Sequence, residues 1–402
     1  MNILFISISS IPDVSLHSIS LDLLREFQRN GHNVCILCSL EKENQRPTYY
    51  DEEKGFKIVR VQIGGNKKAH IIEKGITTVI EPYRYISAIK KYYSQEKFDL
   101  VMYPTPPITQ VKTIEFIKRR DGSKSYLLLK DIFPQNAVDI GMLSKNGMKG
   151  VLYRYFRRVE KKLYQVSDYI GCMSQANVKY VIDHNQEVDP GKIEVCPNSI
   201  EVVDKSADSE KRRSIRDNFR IPNDKIVFVY GGNLGKPQGI PFILDCMDSV
   251  RDVQNVHFII VGDGSEYNKV AKHVDLDSTT NITLLKKLPK EEYDALVSAC
   301  DVGLIFLDHR FTIPNFPSRL LSYLQVRIPV LASTDINSDV GEAIEEGGFG
   351  WWCESNNVES FRDKVIMATE SNTKQMGNNG FEYLQTHYSI EQQYLTIIKR
   401  IQ

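Results

Sequence analysis

Residues 227–236, VFVYGGNLGK, decide the reading of this chain: a short apolar run ends in two consecutive glycines, the pattern of a buried strand feeding a ligand loop. The N-terminus already follows the same plan, with NILFISISS at residues 2–10 running into a polar turn. A helical spacing of Leu, Ile and Phe covers residues 16–30, Gly31 stops it as a C-terminal cap glycine does, and HNVCILCSL reads as the next buried strand. The second half repeats the order: a helical segment after Gly239, the strand HFIIVG, and another glycine turn at residues 262–264. Strands alternating with helices of ordinary length mean parallel sheets, right-handed crossovers and ligands beyond the carboxyl ends of the strands. The expected fold class is α/β, built twice over, with its chemistry on loops.

Length and composition agree. A chain of 402 residues exceeds what one hydrophobic core organises, and 42% apolar residues suffice to bury two. The 51 basic and 51 acidic side chains cancel, so the global charge gives no footprint for nucleic acid. Seven cysteines, an odd number whose one close pair, Cys35 and Cys38, sits inside an apolar strand, read as reduced thiols filling cores, which suits a cytoplasmic protein. The opening MNILFISISSIP lacks a basic n-region and reads as a strand rather than a signal peptide, and no apolar run approaches the roughly 20 residues of a membrane span.

The periodicity predicts strands over 2–8, 33–39, 56–63, 98–103, 125–131, 168–173 and 192–196, then over 225–231, 256–261, 281–286, 301–306, 328–332 and 349–353. Between the two sets, PNSIEVVDKSADSEKRR turns polar and charged, which marks a linker over 198–215. The domains are then 1–197 and 216–388, and the chain ends in helical segments 374–387 and 389–402.

These residues resemble the GT-B glycosyltransferases, specifically the retaining family 4 type that builds bacterial surface polysaccharides and lipid-linked oligosaccharides from nucleotide sugars. The likeness is carried by YGGNLGKPQGI, FIIVGDGSE, ITLLKKLPKEEYDALVSACDVGLIFL and FPSRLLSYLQVRIPVLAS, with weaker matches in LKDIFPQNAVDIGML and CPNSI. It covers nearly the whole chain. The resemblance implies two Rossmann-like β/α/β domains facing across a cleft, the N-terminal one binding acceptor and the C-terminal one binding the nucleotide sugar. It also implies a last helix that crosses back onto the first domain.

A nucleotide sugar leaves as a nucleoside diphosphate, so the site must stabilise charge growing on the β-phosphate; backbone N–H groups and fixed cations do this without a metal. Gly231 and Gly232 permit close backbone approach. Where many relatives carry an Arg and a Lys, this chain has Asn233 and Gln238, and Lys236 and Arg319 are the expected replacements. Arg319 follows Ser318 at a helix start, where free N–H groups and a bidentate guanidinium would converge on one anion. The competing readings are a solvated turn lysine and a surface helix residue. Gly262, Asp263 and Gly264 stand in the strand-to-helix context of a nucleoside loop, against which stands an ordinary turn. The resemblance sets Lys287 and Leu288 against the base, best a uracil, through main-chain groups, and Asn315, Phe316 and Pro317 on the donor-sugar loop. The glutamate pair usual in the family is replaced by Pro314 and Ser322, so Ser322 or a water is left to hold the ribose.

Retention by front-face attack needs no protein nucleophile, since the leaving phosphate accepts the acceptor's proton. Asp131 lies where the family faces the donor sugar, beside Lys130, although an Asp at a strand end is often only a cap. His17, in the bulky loop of residues 11–17, is the remaining candidate base, against a structural role. Asp275, Leu276 and Asp277 read as solvated surface, not as a metal-binding Asp-x-Asp. No metal or cofactor is expected beyond the nucleotide sugar. The segment YRYFRRVEKKLYQ, residues 153–165, joins basic and aromatic residues, as do Lys67, Lys68, His70, residues 83–85 and residues 90–93. It suits peripheral contact with an anionic membrane, or else a charged face over an aromatic core stripe.

The expected activity is transfer from a UDP-sugar, an N-acetylated hexosamine or deoxyhexosamine, to a lipid-linked or oligosaccharide acceptor. The alternatives are a nucleotide-sugar epimerase of the same fold and a non-catalytic nucleotide-sugar-binding partner of an active transferase. Neither the acceptor nor the oligomeric state is written in the sequence.

Overall fold

Strands that are apolar on both faces must be covered by helices on both sides, and both halves of the chain meet that demand. The computed structural model describes residues 1–40, 46–63, 71–275 and 281–402, without the side chains of 71–79. Lys67, Lys68, His70, Leu276 and Asp277 lie outside the described residues.

Two compact units result: Met1–Glu201 together with Ile390–Gln402, and Val202–Ser389. In the first, the described strands are β1 (Asn2–Ser10), β2 (Asn33–Ser39), β3 (Tyr49–Glu53), β4 (Phe56–Val61), β5 (Leu100–Pro104), β6 (Lys124–Leu129), β7 (Tyr169–Cys172) and β8 (Ile193–Val195). They lie in the order β3-β4-β2-β1-β5-β6-β7-β8. All neighbours are parallel except β3 and β4. In the second unit they are β9 (Ile226–Asn233), β10 (Val256–Asp263), β11 (Ile282–Lys286), β12 (Val302–Phe306), β13 (Val330–Thr334) and β14 (Gly350–Glu354). This sheet is wholly parallel, in the order β11-β10-β9-β12-β13-β14, the 3-2-1-4-5-6 winding of a dinucleotide-type domain. Chain order reverses at β1/β5 in one sheet and at β9/β12 in the other, so the loops at those strands' carboxyl ends are where ligands are expected.

The C-terminal helix Ile390–Ile401 is part of the first unit. Its Tyr394 ring meets Phe27 edge-on at 5.0 Å, its Gln393 donates to the Pro197 carbonyl at 2.8 Å, and Arg400 pairs with Glu194 at 2.7 Å. All seven cysteines are buried and unpaired.

Two segments differ from the sequence expectation. The span 198–215 is not a bare linker: the boundary falls after Glu201, and a helix, Ser209–Asn218, begins within it, capped by Asp208, whose side chain accepts from the Lys211 N–H. Only Ile215 and Arg216 of that helix are buried, with Arg216 paired to Asp301 at 2.6 Å, which is why its sequence looks solvated. Strand β3, YYDEE, escaped the periodicity because its acidic residues are held by a cation from the neighbouring strand. Arg60 pairs with Glu53 at 2.6 Å and Asp51 at 3.3 Å.

Candidate active site

At the β9 end of the second sheet, the glycine turn is roofed by side chains from elsewhere in the unit. Gly232 has φ +137°, a backbone open to glycine alone, and a Cβ there would overlap Arg319 Nη2. The Arg319 guanidinium lies 4.4 Å over the Tyr230 ring, and Tyr293 covers Gly231. Tyr230 donates to the Asn233 carbonyl at 2.8 Å, and Tyr323 donates to the carbonyls of Val229 and Leu304 at 3.1 and 3.0 Å. Among the described residues Arg319 pairs with no carboxylate; its close neighbours are Tyr230, Tyr323 and Tyr293. A guanidinium so placed, beside open backbone, is a cation without a counter-ion.

The rest of the turn is occupied with itself. Asn233 donates to Gln238 Oε1 at 3.3 Å, and so does the Gly235 N–H, so Gln238 is spent on the loop's shape. Lys236 is exposed at the start of the short 3-10 turn Lys236–Gln238. The expectation of free N–H groups at the start of helix Arg319–Gln325 needs correction: the N–H groups of Leu320 and Leu321 already bond the carbonyls of Pro317 and Ser318 at 3.1 and 3.2 Å. What Ser318 and Arg319 contribute is position and charge rather than an open helix end.

The second glycine turn packs on the first. Gly262 stands in register with Gly232, and a Cβ on it would overlap the Gly232 carbonyl oxygen. The Leu234 N–H donates to Asp263 O and the Glu266 N–H to Leu234 O, both at 2.9 Å. Asp263 is exposed and accepts from the Gly264 N–H at 2.8 Å. Gly262 is therefore demanded by strand packing as well as by any ligand. Lys287 is exposed and Leu288 half-buried beyond β11, and Ser322 is half-exposed on the helix that carries Arg319. Asn315 takes a bond on its carbonyl from Ser338 Oγ at 2.6 Å, Phe316 lies 5.8 Å from the Tyr388 ring, and Pro317 is half-buried. After β12, Asp308 is clamped by Arg310 Nε and Nη2 at 2.8 and 2.7 Å. Burial works against the Asp308 charge, but the Arg310 bonds outweigh it and hold its pKa below the usual range.

In the first unit, Lys130 and Asp131 follow β6 and are organised by Thr105, just beyond β5. Thr105 Oγ1 accepts from the N–H groups of Lys130 and Asp131 at 3.0 and 3.2 Å and donates to the Asp131 carbonyl at 3.1 Å. Asn136 donates to Asp131 Oδ2 at 2.7 Å. Burial pushes the Asp131 carboxyl up to about 6 and the Lys130 ammonium down to about 8. Two such groups at one strand end mark a candidate site.

His17 sits in a different cluster: its Nδ1 is 3.2 Å from Asp22 Oδ1, and Arg25 also pairs with Asp22. In the loop before it, Ile11 and Val14 are buried in the core with Phe5 and Leu24, while Leu16 is 52% exposed. The tyrosines around Arg319, Thr105, Asn136 and the Asp308–Arg310 clamp were not singled out from sequence, although Tyr230, Tyr293, Tyr323 and Asn136 lie inside the stretches that carry the resemblance.

Residues 211–383 match the family described as glycosyl transferases group 1. Over 329 residues the chain is 25% identical to the probable glycosyltransferase WbjE of Pseudomonas aeruginosa, covering 81% of this chain and 79% of that protein. Sucrose-phosphate synthase from Thermosynechococcus elongatus superposes with a TM-score of 0.75 at 13% identity, covering 99% and 97% of the two chains. Anabaena HepE, solved in complex with UDP, gives a TM-score of 0.68 at 13% identity, covering 99% of each. At that identity the likeness is one of fold: two α/β domains on parallel sheets, the GT-B architecture.

Proposed function

We propose that the chain is a hexosyltransferase that moves a sugar, with retention and without a metal ion, from a UDP-sugar to a lipid-linked or oligosaccharide acceptor in bacterial surface-polysaccharide assembly. The sugar expected is an N-acetylated hexosamine or deoxyhexosamine. One observation carries the reading: Arg319, uncompensated by any carboxylate among the described residues, is stacked on Tyr230 against the backbone of Gly232. A fixed guanidinium there meets the charge that grows on the leaving diphosphate as the glycosidic bond breaks. In front-face transfer the acceptor oxygen bonds to the anomeric carbon while its proton passes to the departing phosphate oxygen, and Asp131 orients the donor sugar. Lys236 adds an exposed cation at the mouth of the turn. The bound nucleotide of HepE and the name of WbjE support the donor class and the setting. A lipid-linked acceptor places the work at the inner face of the cytoplasmic membrane.

The test is release of UDP from candidate UDP-sugars with and without acceptor, beside calorimetry with UDP. Turnover supports the proposal; neither binding nor turnover by folded protein counts against it. Pro314 and Ser322, standing where the family carries glutamates, favour a second reading, a non-catalytic nucleotide-sugar-binding partner, and tight UDP binding without product would select it.

A further inference from the structure

The helix Gly147–Val166 of the first unit turns apolar side chains to solvent. Met148 is 93% exposed, Val151 61%, Leu152 45% and Tyr155 44%. Their spacing of i, i+3, i+4 and i+7 makes one stripe over the first two turns, the kind of stripe a helix ordinarily buries. The buried face is a different one, with Glu160, Leu163 and Tyr164. The cations divide the same way. Arg157 pairs with Glu160 at 2.7 Å and Lys161 with Glu187 at 2.9 Å on the packed side. Arg154, Arg158 and Lys162, each four residues from the next, are exposed beside the stripe and pair with no carboxylate among the described residues.

The patch continues across neighbouring helices. A groove of about 410 Å³ runs between Pro82, Val111 and Tyr155 on its apolar side and Lys112, Arg158 and Lys162 on its charged side; Glu115 also lines it. Lys112 lies 4.5 Å over the ring of Tyr83, itself 51% exposed. Contiguous exposed apolar surface rimmed by unpaired cations needs a partner that is apolar within and anionic at its boundary.

We propose that this face docks on an anionic lipid bilayer. The helix Gly147–Val166 lies in the interface, Met148, Val151, Leu152 and Tyr155 enter the acyl boundary, and Arg154, Arg158, Lys162 and Lys112 meet lipid phosphates. A second copy of the chain fits less well, because a two-fold contact would set these same cations against each other. The proposal goes beyond the donor reading and holds whatever sugar is transferred.

Flotation of the full chain with vesicles of phosphatidylglycerol and phosphatidylcholine, against phosphatidylcholine alone, tests it. Binding is expected to the anionic vesicles only and to weaken with salt. Replacing Arg154, Arg158 and Lys162 together by alanine should weaken it about a hundredfold, from the usual attraction per cation near such a surface. Met148→Ser/Val151→Ser/Leu152→Ser should abolish it while leaving the thermal midpoint and UDP calorimetry as in wild type, since these side chains support no core. Wild-type protein that stays with the aqueous fraction, or variants that float as well as wild type, overturn the proposal. So does a dimer in sedimentation that the Met148/Val151/Leu152 variant dissolves without any vesicle binding, which would hand the face to a second copy.

Discussion

The Arg319 guanidinium lies 4.4 Å over the Tyr230 ring and fills the space that a Cβ on Gly232 would need. The strand that supplies the glycine turn therefore also supplies the aromatic bed on which the cation rests. Because the Tyr230 hydroxyl donates to the Asn233 carbonyl at 2.8 Å, ring and turn are tied together beneath the guanidinium. On the proposed reading, a cation seated this way meets a phosphate with little reorganisation, which is what electrostatic stabilisation of a leaving group requires.

Arg319→Ala should lower kcat/KM by about 3 kcal/mol, two orders of magnitude, if its charge meets the leaving diphosphate. Stability should hold, since no buried carboxylate is orphaned by the change. Arg319→Lys should recover little, because an ammonium neither stacks on Tyr230 nor offers a planar fork. Turnover assays with the best UDP-sugar decide this; wild-type rates in Arg319→Ala would remove the residue from the mechanism.

Gly232→Ala meets two obstacles at once, a φ of +137° and the Arg319 side chain. The backbone strain costs about 1–3 kcal/mol, and the cheaper response is for the flexible guanidinium to swing off the turn. UDP affinity should then fall nearly as far as in Arg319→Ala, and the double variant should fall little further. Additive losses in calorimetry would show that the two residues act separately.

The strands were legible wherever burial on both faces wrote a continuous apolar run, as in NILFIS and VFVY, and the glycine turns were legible because only glycine fits where Gly232 and Gly262 back onto each other. Arg319 could be picked out by its place after Pro317 and Ser318, but its surroundings could not. Tyr293 and Tyr323 arrive from helices about 60 and 90 residues beyond the turn, and a lone tyrosine on a helix carries no mark of the side chain it will cover. Strand β3 and the helix Ser209–Asn218 were hidden for a related reason: ion pairs, to Arg60 across the β3–β4 hairpin and to Asp301 far along the chain, settle charged side chains that locally read as solvated. Likewise the basic helix looked like a charged face over a core stripe, and only the fold shows that the stripe over Met148–Tyr155 is the outer one.

Thr105→Val removes the hydroxyl that joins β5 to the Lys130–Asp131 corner and leaves two N–H groups without their acceptor. A loss of about 1–3 kcal/mol in denaturant unfolding is expected, with kcat falling more than KM rises as Asp131 loses its setting. Thr105→Ser keeps the oxygen and should restore both. A serine variant as impaired as the valine would mean that packing of the methyl group, not the hydroxyl, matters there.

Asp131 gives a pH test with a definite sign. Its carboxyl is raised by burial from 3.8 to about 6, so between those values the native state keeps a proton that the unfolded chain has lost. Stability contributed by this residue is full below pH 4 and falls as pH rises toward 6, by at most about 3 kcal/mol. Activity should run the other way, rising with ionisation through pH 6 if the carboxylate orients the donor sugar. Asp131→Asn separates the two: its thermal midpoint at pH 8 should exceed that of wild type, while at pH 4 the two should converge, and its turnover should be low at every pH. An asparagine variant that keeps wild-type turnover at pH 8 would leave Asp131 a half-buried acid with no part in the chemistry.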